Sequence, residues 1–69
     1  MIVKAWSDSN GSYARIEVDI DVDEKKIYVT LFTHRDNSYG HKTYFPQYFA
    51  DALCDFDDFR SACEKIDIA

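Results

Sequence analysis

The chain has few of the residues that break or crosslink a fold. It holds one proline, two glycines and two cysteines in 69 residues, which leaves no Gly- or Pro-rich linker and no low-complexity segment. A chain of this length forms one domain, residues 1–69. Two cysteines without a secretory signal give little reason to expect a disulfide.

Long apolar segments are also absent. No apolar run approaches the roughly 18 residues that a membrane-spanning helix requires. Residues 1–6 lack a basic segment followed by an apolar one, so they do not resemble a signal peptide. We therefore expect a cytoplasmic protein that does not bind a membrane.

Cations are scarce as well. The chain has eight Lys and Arg against thirteen Asp and Glu, a formal charge of -5, and its bases are scattered among acids. Neutralising phosphates requires clustered Lys and Arg. The sequence therefore predicts no direct binding of nucleic acid, whereas a basic protein surface would attract this chain.

What the chain does have is an apolar period of two in its first 45 residues. Residues 1–7 form the first predicted strand. The Asn10-Gly11 pair that follows predicts a two-residue type I′ hairpin, because that turn needs positive φ at both central residues. The resulting register pairs Ala5 with Ile16, Trp6 with Arg15 and Lys4 with Glu17.

The second predicted strand, residues 13–22, has apolar residues at its even positions after Tyr13 and mostly charged residues at its odd positions. The third, residues 26–34, follows a short turn that pairs Val22 with Ile27. Both turns place the same face of the second strand in the core, which predicts an antiparallel meander.

A third turn at residues 35–40 leads to a short fourth strand, residues 41–45, and Pro46 suits the first position of a helix. The next twenty or so residues predict a helix with one apolar stripe. The stripe comprises Phe45, Tyr48, Phe49, Ala52, Leu53, Phe56, Phe59, Cys63 and Ile66.

A continuous helix would expose Cys54 and bury Cys63, about 13 Å apart and beyond disulfide reach. The alternative is a kink or break near Cys54, with Asp55 capping a second helix. The patterns together predict an α+β fold: a three- to four-stranded antiparallel β-meander with one C-terminal helix packed on one face.

Two rows of acids are candidate partner-binding surfaces. The strand row comprises Glu17, Asp19, Asp21 and Asp23. The helix row comprises Asp51, Asp55 and Asp58, with Asp57 nearby. Residues 1–35 hold six acids and five bases, and residues 36–69 hold seven and three, so the excess negative charge lies in the helical half.

Each row has an ordinary and a functional interpretation. The strand row is either a solvated face partly neutralised by nearby bases, or a mimic of nucleic-acid phosphates or docking surface for a basic partner. The helix row either compensates the helix dipole and aids solubility or binds a basic protein surface. Like charges at i,i+4 destabilise a helix, which motivates the functional interpretation of the helix row and leaves the ordinary one open.

In the predicted register Trp6, Tyr28 and Phe32 project from the outer sheet face, away from the helix. An exposed aromatic cluster of this kind is typical of an interaction patch. The alternative is cross-strand packing that stiffens a thin sheet, with Trp6 stacked on Arg15. One helix covers only one face of the sheet. The other face is expected to be exposed to solvent, buried in a homodimer or bound to a partner.

The sequence predicts no metal, cofactor or catalytic site. His34 and His41 flank the third turn without a third ligand at suitable spacing. The acids at 19–24 lack the glycine and the distal Glu of an EF-hand. No nucleophile with an evident base is present, so we do not expect an enzyme.

A reading frame this short, acidic, aromatic-rich and free of catalytic motifs resembles the small inhibitors made by phages and mobile elements, of which anti-CRISPR proteins are one group. The resemblance is one of size and charge profile over the whole chain and rests on no shared motif. It implies a non-catalytic module that occludes a site normally holding nucleic acid. The alternative is a structural or regulatory subunit that homodimerises through its uncovered sheet face or edge strand.

Overall fold

The computed structural model describes residues 1–35 and 40–68, with side chains up to Glu64. Its elements are β1 (Ile2–Ser7), β2 (Tyr13–Asp21), β3 (Lys26–Phe32), β4 (His41–Tyr44), a 3-10 turn (Pro46–Tyr48) and α1 (Phe49–Ile68). The strands form one antiparallel sheet in the order β1-β2-β3-β4. The predicted α+β meander with one C-terminal helix is confirmed. Of the predicted third turn, residues 36–39 lie outside the described residues.

The core lies between α1 and one face of the sheet. It is formed by Ala14, Ile16, Val29, Leu31, Tyr44, Ala52 and Phe56. Phe56 and Ile16 are its largest fully buried side chains. The helix runs without interruption past Cys54, so the alternative of two helices is wrong.

The apolar stripe of the helix is only partly confirmed. Ala52, Phe56 and Cys63 are buried, and Phe49, Leu53 and Phe59 pack around them. At the N-terminal end the prediction is wrong, because Phe45 and Tyr48 remain 65% and 47% exposed. Both precede α1, where the chain is still leaving the edge of the sheet.

The first hairpin differs from its predicted register by one residue. Lys4 pairs with Ile16 and Trp6 with Ala14. The hydrogen bond from the Asp8 N–H to the Ser12 carbonyl, at 3.1 Å, closes a three-residue loop, residues 9–11, that ends at Gly11 with φ +87°. The carboxylate of Asp8 stabilises this longer loop. Its Oδ1 accepts the backbone N–H groups of residues 10 and 12 at 3.0 and 2.8 Å.

This shift exchanges the inward- and outward-facing side chains of β1. Trp6 packs against the core on the helix side, so the prediction that it projects from the outer sheet face is wrong. Nor is it stacked on Arg15 as the alternative had it. A register irregularity between Ile2 and Lys4 then pairs Ile2 with Glu17.

The second hairpin keeps its predicted faces but is displaced by two residues. Val18 pairs with Val29 and Ile20 with Ile27. The loop comprises the four residues between Asp21 and Lys26, including Lys25 at φ +57°. Val22 lies in this loop and is 79% exposed, so its predicted place in the core is wrong.

The last strand ends because of Pro46. The pairing of Val29 with Tyr44, if continued, would place Pro46 opposite Ile27. Proline has no N–H to donate to the ladder, so pairing stops there. The chain then turns and α1 crosses back over β2 and β3.

Candidate protein-binding surfaces

The helix row does not form one uniform acidic strip. Asp51 and Asp58 are exposed, and neither forms an ion pair with any side chain in the described part of the chain. They lie seven residues apart, about 10 Å along the helix axis. These two carboxylates are the freely presented part of the row.

Asp55, between them, belongs to the fold. It accepts a hydrogen bond from the Tyr44 hydroxyl on β4, and its Oδ2 lies 3.7 Å from Nζ of Lys42. Burial, followed by the Asp55 hydrogen bond and the negative charges of Asp55 and Asp51, raises the pKa of Tyr44 to about 12. Asp55 thus attaches the helix to the sheet edge.

Asp57 lies on the opposite flank of the helix from Asp55. Its carboxylate is 3.4 Å from Nζ of Lys4 on β1, and that ammonium also lies 5.0 Å from the centre of the Phe56 ring. Both partners are about half exposed, so the pair adds little stability. It does direct Asp57 toward β1 and away from the rest of the helix row.

The strand row is largely engaged within the chain. Glu17 Oε2 accepts from Nε of Arg15 at 3.1 Å, and Asp19 lies 3.7 Å from the amino group of Met1. Asp21 Oδ1 accepts the backbone N–H of residue 24 at 3.0 Å. This row therefore offers a partner less unpaired charge than the helix row.

Of the three aromatic residues predicted on the outer sheet face, Tyr28 and Phe32 are there and Trp6 is not. The register sets Tyr28 beside Asp19 and Phe32 beside Arg15. Both rings are only half-buried. Phe32 also contacts the ring of His41, at 5.8 Å between ring centres.

The centre of the outer face is polar yet buried. Arg15 and Thr30 are 5% and 6% exposed. The hydroxyl oxygens of Thr30 and Thr43 lie 3.2 Å apart on neighbouring strands. This face is thus packed by its own side chains, which supports the stiffening interpretation of its aromatic residues.

The sequence patterns missed an exposed apolar surface, here called the apolar end. It comprises Met1, Ile20, Val22, Ile27, Phe45 and Tyr48, between 45% and 79% exposed. All six lie where β1 and β3 begin and where β2 and β4 end. The period of two marked Ile20 and Ile27 as core residues, and no sequence signal shows that α1 leaves them uncovered.

A groove of about 360 Å³ opens beside the apolar end. Its lining consists of Lys25, Lys26, Ile27, Tyr28, Phe45 and Pro46. It forms because β4 stops at Tyr44 and leaves the first residues of β3 without a neighbouring strand.

Other groups with reactive side chains are dispersed. Cys54 is exposed and Cys63 is buried, both as free thiols, as a continuous helix predicts. Within the described residues, no group of three or more His, Cys, Asp and Glu could hold a metal ion. In the same part of the chain, no helix is long and apolar enough to cross a membrane.

In comparisons with known proteins, no protein-family model, curated protein or solved structure matches this chain.

Proposed function

We propose that this chain is a small non-catalytic binding module that inhibits a basic, nucleic-acid-binding protein by covering its binding surface. The observation that carries the proposal is the pair Asp51 and Asp58, exposed on the helix and without an ion-pair partner among the described residues. Asp51 lies in the first turn of α1, where the helix dipole favours an acid. Asp58 lies in the middle of the helix, where the dipole offers no such stabilisation and Asp55 one turn away adds repulsion.

Charge distribution supports the helix as the binding element. Asp55 is held by Tyr44 and Lys42, so it fixes the helix on the sheet edge while its two neighbours remain available. A rigid helix that presents fixed carboxylates loses little conformational entropy when it binds. The net charge of -5 would also speed the approach to a basic partner.

The proposed mechanism is steric and electrostatic occlusion. Carboxylates on the helix would pair with Lys and Arg side chains that otherwise contact phosphates. Inhibition of this kind requires no catalytic group, cofactor or metal. It corresponds to the activity that the resemblance to phage-encoded inhibitors of the anti-CRISPR type implies.

The alternative, a subunit that dimerises through the outer sheet face or an edge strand, has weaker support. Arg15 and Thr30 already fill the centre of that face. One edge strand, β4, has only four residues, and the other, β1, is interrupted by an irregularity after Ile2. Short and irregular edges discourage pairing with another chain.

The test compares the wild-type chain with the Asp51→Asn, Asp58→Asn double variant. A partner captured from the native host by the immobilised wild-type chain is purified, and its affinity and association rate with each variant are measured by surface plasmon resonance. We expect roughly a tenfold or greater loss of affinity for the helix variant, mainly through slower association. Labelled nucleic acid should be displaced from the partner by the wild-type chain.

The matched control removes the same charge from the strand row, through Asp19→Asn and Asp23→Asn. This control removes two negative charges, as the helix variant does, but removes them from the strand row. It should therefore bind nearly as well as the wild type. Equal loss in both variants would mean that only net charge matters. Unchanged affinity of the helix variant, or failure to displace nucleic acid, would contradict the proposal.

A further inference from the structure

We propose that the apolar end is the interface of a symmetric homodimer, in which two copies of this chain bury the same surface against each other. The proposal rests on exposed apolar area, on the surface of the whole chain and on the charges around the apolar end. It does not depend on the proposed function, because none of the residues from which it is argued belongs to the helix row.

The area of the apolar end suits a dimer. If a fully exposed large apolar side chain offers about 100 Å², its six side chains present on the order of 400 Å² of apolar surface. A standard interface buries about 800 Å² per partner, of which about 60% is apolar. The apolar end alone supplies most of that requirement, and the groove walls at Tyr28 and Pro46 adjoin it.

The total accessible surface of the chain also supports a dimer. Its accessible surface is 4860 Å², whereas compact monomers of 8.0 kDa have about 4,450 Å². The radius of gyration is 12.9 Å, against about 11 Å for a compact chain of this length. The chain therefore exposes more surface than a compact monomer of its mass, as is expected of a subunit that buries part of its surface against a second copy.

The charges around the apolar end favour a second copy over a strongly basic or acidic partner. Residues 22–26 carry two acids and two bases, so this part of the chain is locally neutral although the chain is not. Lys25 is exposed and has no ion-pair partner in the described residues, and Asp23 is exposed beside it. Across a two-fold axis, Lys25 of each copy can approach Asp23 of the other.

A dimer formed in this way would leave most of both helix rows exposed. Asp58 lies in the middle of α1, ten residues beyond Tyr48, so it would remain accessible in each copy, whereas Asp51 lies one turn from Tyr48 at the margin of the interface. The assembly would then present two acidic helices on one particle. Any partner with two suitably spaced sites would bind it more tightly than it binds one copy.

Sedimentation equilibrium of the full chain tests the proposal over about 10 to 500 µM, a range in which a reversible dimer changes its mass by mass action. We expect the wild type to approach twice its monomer mass. The Ile20→Asp, Val22→Asp variant should dimerise at least tenfold more weakly and therefore stay closer to its monomer mass at every concentration. The control Ser61→Asp adds charge on the exposed side of the helix and should dimerise like the wild type.

A second measurement keeps the proposal testable should the double variant fold poorly. In wild-type chains, amide NMR signals recorded across the same concentrations should shift at residues 20–27 and 45–48 and remain unchanged around Arg15 and Asp58. A chain that stays monomeric at the highest concentration would overturn the proposal. Shifts confined to the outer sheet face or to an edge strand would overturn it too.

Discussion

Arg15 and Phe32 are stacked on the sheet face that α1 leaves uncovered, with 4.1 Å between the guanidinium carbon and the ring centre. The ring of Tyr13 lies 5.5 Å from the same carbon. Nε donates to Glu17 at 3.1 Å, and one terminal nitrogen donates to the carbonyl of His34, also at 3.1 Å. A single buried arginine thus holds together a face that has no apolar core.

Replacing this arginine should destabilise the fold measurably. Arg15→Ala removes the stacking on Phe32 and leaves Glu17 without its charged partner, so we expect a loss of about 2–3 kcal/mol in the free energy of unfolding. Chemical denaturation monitored by circular dichroism measures the loss. In a small domain this is a large share of the total stability.

Arg35→Ala is the matched control. Arg35 is exposed and its guanidinium carbon lies 4.7 Å from the Tyr13 ring, so its removal should cost less than about 1 kcal/mol. Equal losses in the two variants would show that burial of Arg15 does not matter for stability.

The acids of the helix row should separate into structural and exposed members. Asp55→Ala removes the acceptor of the Tyr44 hydroxyl and the partner of Lys42, and should lower the free energy of unfolding by about 1–2 kcal/mol. Asp58→Ala should change it by less than about 0.5 kcal/mol. Thermal and urea unfolding of both variants check this difference. A larger loss of stability for Asp58→Ala than for Asp55→Ala would contradict the assignment of Asp55 as the acid that stabilises the fold.

Stability should fall at high pH because of Tyr44. Its pKa is raised from 10.0 to about 12 in the folded state, so the folded chain holds the phenol proton more tightly than the unfolded chain does. The resulting stabilisation is complete below pH 10.0 and is lost as the pH rises toward about 12. Melting temperatures measured across this window test the sign.

Two variants isolate the contribution of Tyr44. Tyr44→Phe should be less stable than the wild type at neutral pH and should lose less stability between pH 10.0 and about 12. Tyr48→Phe removes an exposed hydroxyl (the side chain is 47% exposed) and should follow the wild-type curve. If Tyr44→Phe follows that curve as well, other groups cause the decline.

The first hairpin should be sensitive to the residue at position 11. Gly11 has φ +87°, and nothing lies within 4 Å of the position that a Cβ would occupy there. The cost of Gly11→Ala is therefore conformational, about 1–2 kcal/mol. Gly11→Asn should cost less, because Asn tolerates this backbone region better.

Urea unfolding of both variants measures the difference. Ser9→Ala, in the same loop but without positive φ, should change stability by less than about 0.5 kcal/mol. An equal loss for Ala and Asn at position 11 would mean that the left-handed conformation is not what limits the turn.

Some features of the site followed from the sequence because they depend on local periodicity. The alternation of residues 13–21 predicted which side of β2 is buried, and Ile16 is indeed buried. The placement of Asp51 and Asp58 on the outside of one helix needed only the helical repeat. The same repeat predicted an exposed Cys54 and a buried Cys63.

Other features depended on loop length, which periodicity does not determine. Asn10-Gly11 is compatible with loops of two or three residues, and the hydrogen bonds of Asp8 stabilise the longer one. A change of one residue in a strand register exchanges its two faces. For this reason Trp6 was predicted on the outer face and lies on the inner one.

The sequence by itself determined the fold class, the buried side of β2, the single helix and the excess of acids on it, because each is set by residues close together in the chain. Only the tertiary structure decided where α1 crosses the sheet. That crossing placed Asp55 on Tyr44 and left Ile20 and Ile27 uncovered. Contacts between distant residues set the position of a helix over a sheet, so local periodicity could not predict the apolar end.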